Sequence, residues 1–135
     1  MANFIYPHIA LTVNNIEETK RFYISIGFRI KEDVYSSEKK RHFLLLEGYG
    51  FEMEVFHFDN QEKNQSDTEN LMKTKIHHFA LPVRSLIQLK EDLLKNKVEL
   101  FKDISVSSLG LKFINVKDPT GFVIEFFETP KNESQ

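Results

Sequence analysis

The sequence predicts an α+β fold made of two βαβββ modules, and three observations point to it. HIALTV at residues 8–13 recurs as HFALPV at residues 78–83. GFEMEVF at residues 50–56 recurs as GFVIEFF at residues 121–127. Each copy also contains stretches that alternate like strands and one stretch with helical periodicity. Because both motifs recur in the same order at nearly the same offset, we expect two copies of one structural unit.

The first module covers residues 4–58 and opens with an alternating stretch that predicts a strand over residues 4–13. A helix is expected over residues 15–26, because Asn15 is a favourable N-cap and Gly27 can end the helix. Three further strands complete the predicted module, near residues 28–35, 41–47 and 50–58.

The second module covers residues 76–129 and repeats this order, with a strand predicted over residues 76–83. Ser85 is the expected N-cap of a helix over residues 86–95, whose leucines form one apolar face. Three strands follow, near residues 98–102, 111–117 and 121–128. The last two are joined by DPTG, a sequence typical of a type I turn.

Composition limits the classes of protein to consider. The 135 residues suit a single domain, in which the polar segment 59–75 links the two modules. A net charge of −2 argues against nucleic acid or an anionic membrane as a partner. No apolar run is long enough for a transmembrane helix, and the N-terminus does not resemble a signal peptide. Without cysteine there can be no disulfide or thiolate chemistry, and we expect a cytoplasmic protein.

The repeat singles out four polar residues in strands that are otherwise rich in apolar residues. His8 is followed 46 residues later by Glu54, and His78 is followed 47 residues later by Glu125. Each pair therefore joins the first predicted strand of a module to its last. A single histidine or glutamate in a strand is usually structural or solvated. Packing alone gives no reason to repeat two of each in register, so the repetition favours metal ligation.

Two neutral imidazoles and two carboxylates form a ligand set that balances the charge of one divalent cation. Such a set suits nickel, cobalt or zinc, with manganese or iron(II) as further candidates. A substrate with two vicinal oxygens could occupy the remaining coordination positions, and the metal would then stabilise an enediolate. A neighbouring carboxylate could remove the carbon-bound proton. Glu125 and Glu54 are the candidates for this role.

Strand alternation assigns further residues to the same faces. Thr12 lies on the face of His8 and is expected to contact the substrate. Three phenylalanines lie on the faces of the two glutamates and are expected to line a substrate site: Phe56, Phe58 and Phe127. Alternation does not decide whether these rings, or that of Phe113, belong to a pocket wall or to the core.

The other histidines are weaker candidates. His77 and His57 are each an odd number of residues from the repeated residue nearest to them, so we expect both to face the opposite side of their strands. His42 follows Lys39, Lys40 and Arg41, a run that more often marks a solvated hairpin end than an anion site.

With these residues in place, the chain resembles the vicinal oxygen chelate superfamily, which includes glyoxalase I, dioxygenases and bleomycin-binding proteins. The resemblance covers residues 4–129, and it is carried by HIALTV, RFYISIGF and the closing DPTGFVIEFFE. It implies a glyoxalase-like fold in which the two modules curl their mixed sheets around a metal cleft. It also implies a homodimer whose sites draw on modules of both subunits.

Within that superfamily, the His-Glu-His-Glu set is most similar to glyoxalase I, which implies a metal-dependent lyase or isomerase with Glu125 as the leading base. Thr12 and Phe58 stand where bacterial glyoxalase I typically has an arginine and an asparagine that hold glutathione. Their replacement implies a smaller or more apolar substrate. One alternative is a binding protein of the bleomycin-resistance kind, which sequesters a small molecule without chemistry. Another is an oxygen-using iron(II) enzyme, for which four protein ligands leave too few open positions.

Overall fold

The computed structural model describes residues 7–61 and 76–130 and divides the chain into two compact units, Met1–Gln65 and Ser66–Gln135. The first contains β1 (His8–Thr12), α1 (Ile16–Ser25), β2 (Arg29–Ser36), β3 (Arg41–Gly48) and β4 (Phe51–Phe58). The second contains β5 (His78–Val83), α2 (Leu86–Lys95), β6 (Leu100–Val106), β7 (Lys112–Lys117) and β8 (Val123–Glu128). Both have the predicted βαβββ order, which confirms the α+β fold class.

Each unit forms one four-stranded mixed sheet, and the two sheets have the same topology. The strand order is β1-β4-β3-β2 in the first and β5-β8-β7-β6 in the second. The first strand of each unit pairs in parallel with the last, and the other pairings are antiparallel. As a result, the two recurring motifs of each unit lie on neighbouring strands. The first motif lies in the edge strand, β1 or β5, and the second in the central strand beside it, β4 or β8.

Capping residues fix the start of each helix where the sequence predicts it. The Asn15 side-chain oxygen accepts the Glu18 backbone N–H at 2.9 Å, and Ser85 Oγ accepts that of Gln88 at 3.2 Å. Both residues have extended backbone, as an N-cap requires. After α1 the chain turns through Gly27 at a φ of 109°, which favours glycine. A side chain there would also come within 3.0 Å of the Tyr49 hydroxyl oxygen.

One face of each sheet is buried together with the apolar side of its helix. Tyr23 of α1 is fully buried in the first unit, and Leu93 of α2 is buried in the second. In β4, Met53 and Val55 are fully buried, whereas Glu54 between them and Phe56 after them are not. The same alternation holds in β1, where Leu11 is buried and its neighbours are exposed or half-buried. The core therefore leaves the opposite face available for the repeated polar residues.

Several predicted boundaries differ from the structure. Strand β6 runs to Val106, four residues beyond the predicted 98–102. It is an edge strand with two register shifts, so its exposed residues do not alternate cleanly and the pattern hides its length. Residues 4–6 of the first predicted strand and residues 62–75 of the predicted linker lie outside the described residues.

No helix in the described part of the chain is long and apolar enough to cross a membrane.

Candidate functional site

The first repeated pair, His8 and Glu54, forms across the parallel strands β1 and β4. In the register of these strands, Ala10 lies opposite Glu54. His8 precedes that partner by two residues and so lies on the same face of the sheet. Its Nε2 is 3.6 Å from Oε1 of Glu54, and the two side chains are 53% and 34% exposed. The pair is thus accessible on the face that α1 does not cover.

The second repeated pair, His78 and Glu125, has the same arrangement in β5 and β8. Ala80 lies opposite Glu125, and His78 precedes it by two residues. His78 Nε2 is 3.5 Å from Glu125 Oε1, with side-chain exposures of 32% and 18%. The structure therefore brings together each predicted pair within its unit, with matching register and almost the same separation.

The separations allow each pair to bind one cation. Zinc bonds to histidine nitrogen and carboxylate oxygen are about 2.1 Å long, so two such ligands lie about 3.0 to 3.4 Å apart at angles between 90° and the tetrahedral value. The observed 3.5 and 3.6 Å are close to this range. Within either unit, the described residues form no group of three or more His, Asp or Glu side chains suited to a metal. Each unit on its own therefore offers two ligands.

His77 is not where the sequence predicts it. We expected it to face away from His78, but the strand begins only at His78, so strand alternation does not apply to His77. Its Nδ1 lies 2.7 Å from Nδ1 of His78, and the rings meet edge to face. One ring must donate and the other accept. When His78 donates its Nδ1–H, its Nε2 keeps a lone pair on the side of Glu125.

Asn115, which the sequence analysis missed, lies directly opposite Glu125 on β7. It is 8% exposed, and its Oδ1 is a buried acceptor without a hydrogen-bond partner among the described residues. A buried acceptor of this kind is costly unless something binds it. The corresponding position in the first unit, opposite Glu54, is Leu45. The signal that could have revealed Asn115 is a lone amide within the apolar stretch FINV.

The predicted substrate-lining residues of the first unit share the face of Glu54. Thr12 pairs with Phe56 in the β1–β4 register and is exposed. The rings of Phe56 and Phe58 stack with centroids 6.1 Å apart, and Phe58 is 39% exposed. The Arg41 guanidinium carbon lies 5.1 Å from the centroid of the Phe56 ring. The rings of Phe56 and Phe58 therefore belong to the surface and not to the core. Strand alternation alone had left this choice open.

In the second unit the two phenylalanines behave differently. Phe127 shares the face of Glu125 and is half-buried, while its neighbour across the sheet, Phe113, is 7% exposed and belongs largely to the interior. Lys102 Nζ lies 5.4 Å from the centroid of the Phe113 ring. Phe127 remains the aromatic candidate of this unit.

His42 and His57 lie opposite each other on β3 and β4, at positions that alternate with Glu54. His42 Nε2 contacts Oδ1 of Asp33, whose other oxygen accepts from Lys20 Nζ at 2.9 Å. The Lys20 hydrogen bond, followed by that of His42, holds the pKa of Asp33 below its usual value. His42 thus takes part in a structural cluster with Asp33 and Lys20. Arg41, one residue earlier on β3, lies on the opposite face of the sheet.

Comparison with known proteins gives the family. The sequence model of the Glyoxalase/Bleomycin resistance protein/Dioxygenase superfamily matches residues 5–126. No curated protein sequence is significantly similar to the chain.

Solved structures have the same fold. A glyoxalase family protein from Enterococcus faecalis is 25% identical with a TM-score of 0.71, and the match covers 93% of this chain and 97% of that one. A glyoxylase/bleomycin resistance protein/dioxygenase domain from Frankia sp. EAN1pec is 16% identical with a TM-score of 0.74, over 96% and 100% of the two chains. Glyoxalase I from Zea mays is 15% identical with a TM-score of 0.73, and the match covers 95% of this chain but 46% of the maize one.

The family model spans both units, and the βαβββ order of each unit agrees with it. The chain therefore belongs to the glyoxalase/bleomycin resistance protein/dioxygenase superfamily.

Proposed function

We propose that the chain is a divalent-metal-dependent lyase or isomerase of the glyoxalase I type that acts on a small substrate with vicinal oxygens. The proposal rests on one observation, the two His–Glu pairs that match in register and separation. Together His8, Glu54, His78 and Glu125 supply two imidazoles and two carboxylates, from the units of one chain or of two copies. Nickel, cobalt and zinc suit this set best.

The charges and hydrogen-bonding groups fit such an ion. Two carboxylates carry two negative charges, which a divalent cation neutralises. If His77 accepts the Nδ1–H of His78, Nε2 of His78 keeps its lone pair and could bind the ion, an arrangement common for groups behind metal-bound histidines. When bound, the cation polarises the vicinal oxygens of the substrate.

The remaining work falls to the protein's own side chains. Glu125 removes the carbon-bound proton, with Glu54 as the nearest alternative; Glu125 is the less exposed of the two and so is less solvated by water. Phe56, Phe58 and Phe127 supply apolar surface on the same faces and limit access of water. The Thr12 hydroxyl, at the position where an arginine would favour glutathione, can hydrogen-bond a smaller substrate.

The proposal is tested by screening α-ketoaldehydes with several thiols, including methylglyoxal with glutathione, and then hydroxyketones and acyl-CoA compounds. We expect turnover with at least one of them in nickel-, cobalt- or zinc-loaded protein, and its loss on chelation. Tight binding of a small molecule without turnover, unaffected by chelation, would instead favour a binding protein of the bleomycin-resistance kind. A homodimer and a cytoplasmic location remain predictions that accompany this proposal.

Asn115→Leu is expected to raise the stability of the protein and lower its activity. The change removes a buried acceptor without a partner and installs the residue type found opposite Glu54, so the free energy of unfolding should rise by about 1 kcal/mol. We assign to Asn115 Oδ1 the role of accepting a hydrogen bond from the substrate, so turnover should fall by about tenfold or more. Urea unfolding and steady-state kinetics measure the two effects.

The control is Asn60→Leu, at an exposed turn of the first unit, which should change neither quantity. A variant at Asn115 that is less stable than wild type, or fully active, would contradict the role assigned to Asn115.

A further inference from the structure

A cavity of about 240 Å³ lies on the sheet of the first unit, at the end of the β2–β3 hairpin. It is lined by Glu32, Val34, Ser36, Lys39, Arg41 and Phe43. The turn beside it is held in place, because Ser36 Oγ accepts the Lys39 backbone N–H at 3.1 Å. Cavities that enclose a whole ligand are typically larger, at about 300 to 1,000 Å³. This one therefore has room for one part of a substrate.

The cavity and the His8–Glu54 pair share one face of the sheet. Leu45 lies opposite Glu54, and Phe43 lies opposite Phe56. Alternate residues of a strand point to the same side, so Arg41, Phe43 and Leu45 follow one another along this face. Four residues of strand span about 13 Å, which is the distance along β3 from the level of Glu54 to Arg41.

The surface between these two points is apolar. The rings of Phe43 and Phe56 meet with centroids 5.4 Å apart, and Val34 lies opposite Phe43 on β2. Arg41 is placed at the far end by its contact with the Phe56 ring. A ligand that runs along this face thus passes from the histidine and glutamate, over aromatic rings, to a basic end.

The charges of the lining favour a ligand with a single negative charge. Lys39 and Arg41 are positive and Glu32 is negative, which leaves one net positive charge in the cavity. In the part of the chain that the structure describes, neither Lys39 nor Arg41 has a carboxylate within ion-pair distance. Glu32 lies opposite Leu45, which places it nearer to the level of Glu54 than the two cations are.

We propose that the substrate is a monocarboxylate whose carboxylate binds Arg41 and Lys39 in this cavity. Its apolar segment then lies over Phe43 and Phe56, and its vicinal oxygens reach the end of the face where His8 and Glu54 stand. The placement of the vicinal oxygens rests on the proposed function, whereas the carboxylate site is formed by the first unit alone.

The test uses metal-free protein and two probes, 4-phenylbutyrate and its neutral amide, titrated to 10 mM while backbone amide NMR shifts are followed. The carboxylate should bind at least tenfold more tightly than the amide and shift resonances of β2 and β3, since hydrogen bonds to a charged acceptor are stronger than those to a neutral one. Arg41→Gln should weaken binding of the carboxylate about tenfold, and Glu32→Gln should strengthen it.

The matched control is Arg21→Gln on the exposed side of α1, which should bind both probes as wild type does. Equal affinity for the two probes, shifts confined to other elements, or no effect of Arg41→Gln in a folded variant would overturn the proposal. Because this experiment uses metal-free protein, its result is independent of the metal titrations. A negative result would overturn the carboxylate site but not the metal site, and a missing metal site would not affect this binding measurement.

Discussion

Glu125→Gln is expected to lower turnover by about a hundredfold or more, the scale of general acid–base catalysis, while metal affinity falls by about tenfold at most. Glutamine retains the shape of the side chain and one oxygen that can bind the cation, but it cannot take a proton from carbon. Glu125 is the better placed of the two glutamates, since its side chain is 18% exposed and lies opposite the buried Asn115. Steady-state kinetics on a substrate from the screen, with calorimetric metal titration, separates the two effects.

The control is Glu99→Gln, an exposed glutamate just before β6, which should turn over as wild type does. If Glu54→Gln is inactive and Glu125→Gln is not, the two glutamates have exchanged the roles we assign to them. If neither change affects turnover, proton transfer through these carboxylates is wrong for this protein.

Replacing His8 and His78 together with alanine is expected to weaken binding of nickel, cobalt or zinc by more than a hundredfold. Loss of a group that only orients a metal ligand costs about 10- to 100-fold in affinity, so loss of two ligands should cost more. Bound metal should also stabilise the wild-type fold, by about 2.7 kcal/mol when the free metal is at 100 times its Kd. The double variant should lose this metal-dependent rise in Tm.

His57→Ala is the matched control, because His57 alternates with Glu54 on β4 and lies across from His42. It should bind metal and gain thermal stability as wild type does. A double variant that still binds with wild-type affinity would contradict the ligand set, whatever the activity of the protein.

Much of the fold could be predicted because local signals and burial agree. Asn15 and Ser85 cap the two helices at the predicted positions, and the alternation of β4 places Met53 and Val55 in the core. Strand β6 was predicted too short because an edge strand need bury neither face and carries register shifts. An alternating pattern of apolar and polar residues arises when one face of a strand is buried. A strand with neither face buried lacks this pattern and so cannot be recognised from it.

The candidate site was predicted only in part. Repetition identified the two His–Glu pairs, since residues that match in sequence also match in register. His77 was assigned to the wrong side because alternation was extended beyond the start of β5. Asn115 has no counterpart in the first module, so a search for repeated residues could not find it. The cavity beside Arg41 depends on pairing of β2 with β3, which no local motif specifies.

The central claim, that both pairs hold one divalent ion, is tested most directly by X-ray absorption at the zinc edge of stoichiometrically loaded protein. The account predicts one zinc for each two His–Glu pairs, with two imidazole nitrogens and further oxygen ligands at about 2.0–2.2 Å. It also predicts that the imidazole scattering disappears in the His8→Ala, His78→Ala variant. A spectrum with no imidazole or only one, or the same spectrum in both proteins, would contradict it.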